Sequence, residues 1–166
     1  MNVQSPVGQG ATIPPRAYVL AANEGEALLL GARRAPLVIK VSPEAGSPAL
    51  SAIMEHIAPG DAIPTHLHES VDEIIFIYAG EGLQRLGETE HAVAAGSLVY
   101  VPRGTWHGLR NSAPTGNLTI VAIFTPTGME SYFRAISTKP NEEYIPLTSE
   151  QKEKIEQLYG IRYKPG

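Results

Sequence analysis

Two stretches decide how this chain reads: Gly60–Gly80, GDAIPTHLHESVDEIIFIYAG, and Gly96–Asn111, GSLVYVPRGTWHGLRN. In the first, His66 and His68 are separated by one residue, so on a strand both imidazoles leave the same face. Strict alternation would put Glu73 on the opposite face. The polar segment Glu69–Asp72 therefore reads as a turn, with Glu73 entering from the next strand. In the second stretch His107 follows the tight Pro102-Arg103-Gly104 turn, which can aim its strand back toward the same point. Three imidazoles and one carboxylate form a mixed N/O donor set suited to a divalent transition metal. A His-x-His pair alone carries little weight, since paired histidines are common on half-exposed strands. The two stretches together are specific, because glycines and prolines frame the donors at set spacings.

Outward from these stretches the chain is a succession of short β-prone runs broken by turn residues. Tyr18–Ala22 and Glu26–Ala32 read as the first strands, with Asn23-Glu24-Gly25 between them. Leu37–Val41, Ala49–Ile57, Glu73–Ala79, Leu98–Val101, Trp106–Asn111 and Leu118–Phe124 follow, and Leu83–Leu86 pairs with Thr89–Ala94 as a hairpin across Gly87-Glu88. About ten such strands indicate an all-β sandwich or closed barrel. The period then changes. Met129–Ile136 reads as a short helix with Met129, Phe133 and Ile136 on one side, and Ser149–Tyr159 as a second with Ile155, Leu158 and Tyr159 as its apolar stripe. Thr148 and Gln151 form a capping-box pattern, and Gly160 sits at the helix stop. The organisation expected is an arm over residues 1–17, a β-barrel over 18–125 and a helical extension over 126–166.

Bulk properties narrow the function classes. The 166 residues are 43% apolar and 18% charged, enough for one domain with a proper core. A formal net charge of −4 offers no basic footprint for nucleic acid. The absence of cysteine removes thiolate metal sites, disulfides and a cysteine nucleophile. No run approaches the roughly 20 apolar residues that span a bilayer, and residues 1–17 do not read as a secretory signal. A soluble, cytoplasmic location without a membrane partner is expected.

Gly60–Gly80 and Gly96–Asn111 resemble the two conserved motifs of the cupin superfamily, joined by the short spacer Glu81–Ala95 seen in small microbial members. The resemblance implies a double-stranded β-helix, or jelly-roll barrel, with short C-terminal helices. It implies a metal held inside by His66, His68, Glu73 and His107. An ion that prefers five or six ligands then keeps one or two positions open for water, substrate or dioxygen. Fe, Mn, Ni, Co, Cu and Zn all suit such a donor set. With the tail Phe124–Arg134, the motifs look similar to small single-domain cupins of the quercetin 2,3-dioxygenase-like kind.

The expectation is a metal-dependent dioxygenase acting on a small enolisable or aromatic substrate, with Glu73 as ligand, as general base or as both. The alternatives are a metal-dependent lyase or isomerase, and a non-catalytic small-ligand binding protein. Ile75 and Ile77 share the face of Glu73 and are expected to line an apolar cavity, while Ile74, Phe76 and Tyr78 point outward. That outward face needs a cover, either the C-terminal helices or a second subunit, and a homodimer is expected. His56 reads as a pocket or surface group and His91 as a surface one; Tyr100, Trp106 and Phe124 read as core in preference to pocket walls. Arg103 reads as a turn residue, and Asn111 as fixing local backbone geometry.

Overall fold

The computed structural model describes residues 14–164, so residues 1–13 of the expected arm lie outside the described part. Twelve strands form: β1 (Glu26–Leu30), β2 (Ala35–Val41), β3 (Ser51–Ile57), β4 (Ala62–His68), β5 (Asp72–Ala79), β6 (Glu81–Leu86), β7 (Thr89–Ala94), β8 (Leu98–Val101), β9 (His107–Asn111), β10 (Leu118–Thr125), β11 (Ser137–Thr138) and β12 (Ile161–Tyr163). Two helices, α1 (Met129–Ile136) and α2 (Ser149–Tyr159), follow β10, and a one-turn 3-10 helix spans Pro43–Ala45.

The strands build two antiparallel sheets, one ordered β11-β1-β2-β3-β10-β5-β8 and the other β12-β4-β9-β6-β7. Between β4 and β10 the chain alternates between them, leaving only the β6–β7 hairpin within one sheet. This winding packs the inner faces together and is the all-β barrel expected. Each crossing needs a sharp turn. At Gly80, between β5 and β6, φ is +85° and an added Cβ would lie 2.6 Å from the Asn117 carbonyl oxygen, so only glycine fits.

Alternation decides what each strand buries. On β5, Glu73, Ile75 and Ile77 are buried and Phe76 and Tyr78 exposed, the phase expected from the sequence. Two apolar clusters fill the barrel. One gathers Ile57, Ile77, Leu109, Leu118 and Ile120, and the other places Leu37, Ile53 and Phe124 against Met129, Tyr132 and Phe133 of α1. Met129, Tyr132 and Phe133 sit at i, i+3 and i+4, which gives α1 its buried side. Arg134 then ties α1 to β1 through Glu26, with Nη2 to Oε2 at 2.7 Å.

Several expectations need correcting. Tyr18–Ala22 is not a strand. Its carbonyls are drawn into a turn in which Lys40 Nζ donates to the oxygens of Ala21 and Ala22, and Glu24 Oε2 accepts from the Ala21 amide. The α2 capping box forms as read, Thr148 Oγ1 accepting from Gln151 N at 3.2 Å and Gln151 Oε1 from Thr148 N at 2.9 Å. Leu158, however, is 74% exposed, so the packed stripe of α2 is Ile155 and Tyr159. The tail also contributes strands, which its helical pattern concealed. β11 pairs with β1, and β12 pairs with β4, setting Ile161 opposite His68 and Tyr163 opposite His66.

Asn111 closes the second motif as a buried backbone hub. Its Nδ2 donates to the carbonyls of Ile57 and Gly116, each at 2.9 Å, and its Oδ1 accepts from Ala113 N at 3.0 Å. Asn111→Ala leaves those groups unpaired inside the fold and should lower stability by about 2–4 kcal/mol. Urea unfolding followed by circular dichroism measures this; a loss below about 0.5 kcal/mol would refute the hub role.

Candidate metal centre

The four donors come from opposite sheets. His66 and His68 stand on one face of β4, and His107 on β9 lies directly across from His66 in the strand register. Glu73 arrives on β5 of the facing sheet after the Glu69–Val71 reversal. Each residue offers one ligand atom, and all four lie within 4.8 Å of one another. All four side chains are buried, at 8% exposure or less.

Hydrogen bonds orient the imidazoles. Nδ1 of His66 donates to the Pro64 carbonyl at 2.8 Å, and Nδ1 of His107 to the Thr105 carbonyl at 2.9 Å. Each bond spends the Nδ1 proton outward and leaves Nε2 as the inward lone pair, the arrangement by which metal-binding histidines are set. Glu73 Oε2 lies 2.8 Å from His107 Nε2 and 3.2 Å from His68 Nε2. The His68 contact lacks hydrogen-bond geometry, and neither ring nitrogen of His68 has a hydrogen-bond partner among the described residues. Without a cation, His107 would need a proton on both nitrogens to satisfy its two contacts. A divalent ion satisfies all four donors at once, so the donor set fits a metal.

The electrostatics favour the ligating forms. Burial, reinforced by the neighbouring imidazoles, holds His66 down at about 3, so its ring is neutral. Burial pushes Glu73 upward, but the hydrogen bond from His107 and the close approach of the His68 ring outweigh it and hold the carboxyl at about 2. Burial pulls His107 down, yet its contact with Glu73 raises it overall.

A second layer fixes the approach of His107. The Arg103 guanidinium forks Asp72, with Nε to Oδ1 and Nη2 to Oδ2 both at 2.9 Å, and the Arg103 amide also donates to Oδ1. The Gly104 amide donates to the His68 carbonyl at 2.7 Å. The turn before His107 is thus pinned to the neighbour of one donor and the backbone of another. Arg103 is therefore more than a turn residue, a role its sequence position did not reveal. Hydrogen bonding to Arg103 holds Asp72 at about 2.

Beside the donors lies a cavity of about 110 Å³, walled by Ile75, Phe124, Met129, Phe133 and Ile136. Ile75 lines it as expected, whereas Ile77 belongs to the core cluster at the other end of the barrel. Phe124 is both core and wall. Tyr100 is 58% exposed and thus not core, and Trp106 is half-buried.

Three polar residues of this cavity escaped the sequence reading. Glu55 is 8% exposed and faces inward, while its neighbour His56 points outward and meets Thr119 Oγ1 at 3.0 Å. The signal was present in β3, where Ile53, Glu55 and Ile57 alternate on one face and both isoleucines are buried. Burial, with the negative charge of Glu73 adding to it, pushes Glu55 up to about 8. Tyr132 of α1 and Tyr163 of β12 also line the cavity, their hydroxyls 2.8 Å apart. Nothing in their sequence spacing of 31 residues connects them. His91 is exposed beside Thr89, as expected.

Residues 53–124 match the family model described as a cupin domain. The uncharacterized protein L612 of Acanthamoeba polyphaga mimivirus is 29% identical over 83 residues, covering 48% of this chain and 52% of that protein. The chain thus spans about half the length of that curated relative. Among solved structures, an RmlC-like cupin from Shewanella frigidimarina aligns with a TM-score of 0.59 at 14% identity, covering 72% of this chain and 99% of that one. A predicted oxalate decarboxylase from Thermotoga maritima aligns at 0.58 and 22% identity, covering 66% and 100%. KdgF from Halomonas sp. aligns at 0.52 and 21% identity, covering 58% and 83%. At these identities the likeness is one of fold.

Glu55 makes stability pH-dependent. Its folded pKa lies above the ordinary 4.5, so its contribution is complete below that pH and is lost as pH rises through about 8. The melting temperature of the wild type relative to Glu55→Gln should therefore fall by at least about 4 °C across this window. A constant difference by calorimetry would show that Glu55 is ionised throughout.

Proposed function

We propose that this chain, whose residues 53–124 match the cupin domain model, is a cupin and a metal-dependent enzyme carrying out dioxygenase-type oxidation of a small enolisable substrate. The observation that carries this reading is the convergence of His66, His68, Glu73 and His107 beside an apolar cavity. A divalent transition metal held by these four residues would supply a Lewis-acidic seat for a substrate oxygen and, if redox-active, a route for electrons to dioxygen. With nitrogen and oxygen donors and no thiolate, Fe, Mn, Ni, Co, Cu and Zn all suit the set.

The chain's own residues define the remaining tasks. His66 and His107 keep their rings in place through their Nδ1–H bonds, so the inward nitrogens are preset. Glu73, held as a carboxylate, accepts the proton that leaves an enolisable substrate. Ile75, Phe124 and Phe133 exclude water from that proton transfer.

One observation favours a second reading, a lyase or isomerase. Glu55 places a second proton-carrying group in the same cavity, and paired acid and base groups suit proton transfer without oxygen.

Protein purified without chelators or added metal should contain about one equivalent of a transition metal by elemental analysis. His66→Ala and His107→Ala should each lose most of it. Unchanged metal in both variants would refute the ligand assignment. With enolisable substrates, turnover that stops under anaerobic conditions supports oxygenation; turnover that persists anaerobically with Zn²⁺ supports the second reading.

We further propose that the protein is a homodimer joined through the outer face of β5 and β8. Tyr78, Leu98 and Tyr100 are 58–64% exposed there. The helices pack elsewhere, α1 on β1, β3 and β11, and α2 on α1 and β12. Light scattering should give twice the chain mass, and Leu98→Glu with Tyr100→Glu should convert it to monomer. A monomeric wild type at micromolar concentration would exclude this interface.

A further inference from the structure

Glu55 is a buried carboxyl on the inner wall of the barrel with no hydrogen-bond or ion-pair partner among the described residues. Its nearest strand neighbours in register, Leu37 on β2 and Ile120 on β10, are apolar. The titratable groups that share its cavity are Glu73 on β5, His66 and His68 on β4, His107 on β9, Tyr132 on α1 and Tyr163 on β12. The inner cavity walls carry no lysine or arginine, and the arginine of the adjoining outer cleft, Arg33, is paired with Asp61. A carboxylate is expelled from such a place, so the group is neutral and holds a proton. The shift of its pKa to about 8 agrees.

A neutral carboxyl that borders a cavity has a proton to donate to whatever occupies that cavity. The same residue lines a second, outer cleft of about 510 Å³ that shares Leu30, Ala62 and Ile63 with the inner cavity. Glu55 thus stands where the two spaces meet, with the four donors further inside. The inner cavity measures about 110 Å³. A cavity of about 150 Å³ holds benzene, which limits the enclosed part of a ligand here to roughly six heavy atoms.

We propose that Glu55 is a ligand-binding residue of this centre, its carboxyl donating a hydrogen bond to one end of a small oxo acid whose other oxygens face the His66, His68, Glu73 and His107 cluster. The inference rests on the metal reading above and narrows its substrate to a compound whose enclosed part is of pyruvate's size, with oxygen at both ends of that part. The polar ends match the two polar poles of the cavity, and the short carbon frame matches the apolar wall of Ile75, Met129 and Phe133. Gln at position 55 keeps a donor of similar shape, whereas Leu keeps the volume and removes it.

Metal content is measured first, so that failure of the metal reading is seen separately from failure of the Glu55 proposal. Pyruvate is then titrated by calorimetry into Zn²⁺-loaded protein at about pH 7. The wild type should bind it, Glu55→Gln should stay within about threefold, and Glu55→Leu should weaken binding about tenfold at equal zinc content. Infrared difference spectra of the wild type should show the carbonyl stretch of a neutral carboxyl. That band should move to lower frequency when pyruvate is added and be missing in Glu55→Gln. Equal affinity of wild type and Glu55→Leu, an unmoved band, or no pyruvate binding by zinc-loaded wild type would each overturn the proposal. If Glu55→Leu fails to fold, the infrared band of the wild type decides alone.

Discussion

A carboxylate from one sheet meets three imidazoles from the other, and the barrel is organised around that meeting. Glu73 is buried at 6% exposure, where an unpaired charge would be strongly destabilising. It is tolerated because β4 and β9 present His66, His68 and His107 across the gap between the sheets. Neither sheet carries a complete donor set. The centre exists only when the two inner faces are packed in one relative position, which couples the chemistry of the site to the folding of the barrel.

That position is held by contacts around the centre. Arg103 and Asp72 join the turn before His107 to the start of β5, and Gly104 joins it to the carbonyl of His68. Asp72 is the partner of Arg103 and the chain neighbour of Glu73, so a small shift in the turn is felt by two donors at once. Asn111 does the same work at the far end of β9, where it binds the end of β3 and the loop before β10. These bonds are directional, so they set distances that apolar packing leaves loose. They explain why the second motif carries polar residues that never touch the centre.

Around the centre, the cavity combines an apolar wall with polar groups of opposite protonation. Glu73 is held as a carboxylate by the imidazoles that face it, whereas burial and the charge of Glu73 push Glu55 toward its neutral form. Two carboxyl groups of the same type are thus driven toward opposite protonation states within one enclosed space. The tail completes this space: α1 brings Met129, Tyr132 and Phe133, and β12 brings Ile161 and Tyr163. The segment after β10 is therefore part of the site wall, and the expected view of it as a helical cover was too narrow.

By itself the sequence determined the all-β class, the phase of β5, the capping box of α2 and the four donors with their spacing. Each depends on local rules, either the two-residue period of strands or the conformations of glycine and proline at turns, and those act within a few residues. Other features were decided by tertiary structure alone. Tyr18–Ala22 has strand-like composition, but Lys40 draws its carbonyls into a turn. The alternation of Ile53, Glu55 and Ile57 put Glu55 on an apolar face of β3, but only the packing of the sheets decided that this face meets the donors. The pairing of β12 with β4, the Tyr132–Tyr163 contact and the Arg103–Asp72 fork join residues 31 or more apart in the chain. Sequence spacing conveys which side chains share a strand face; only the packing of two sheets decides which faces meet.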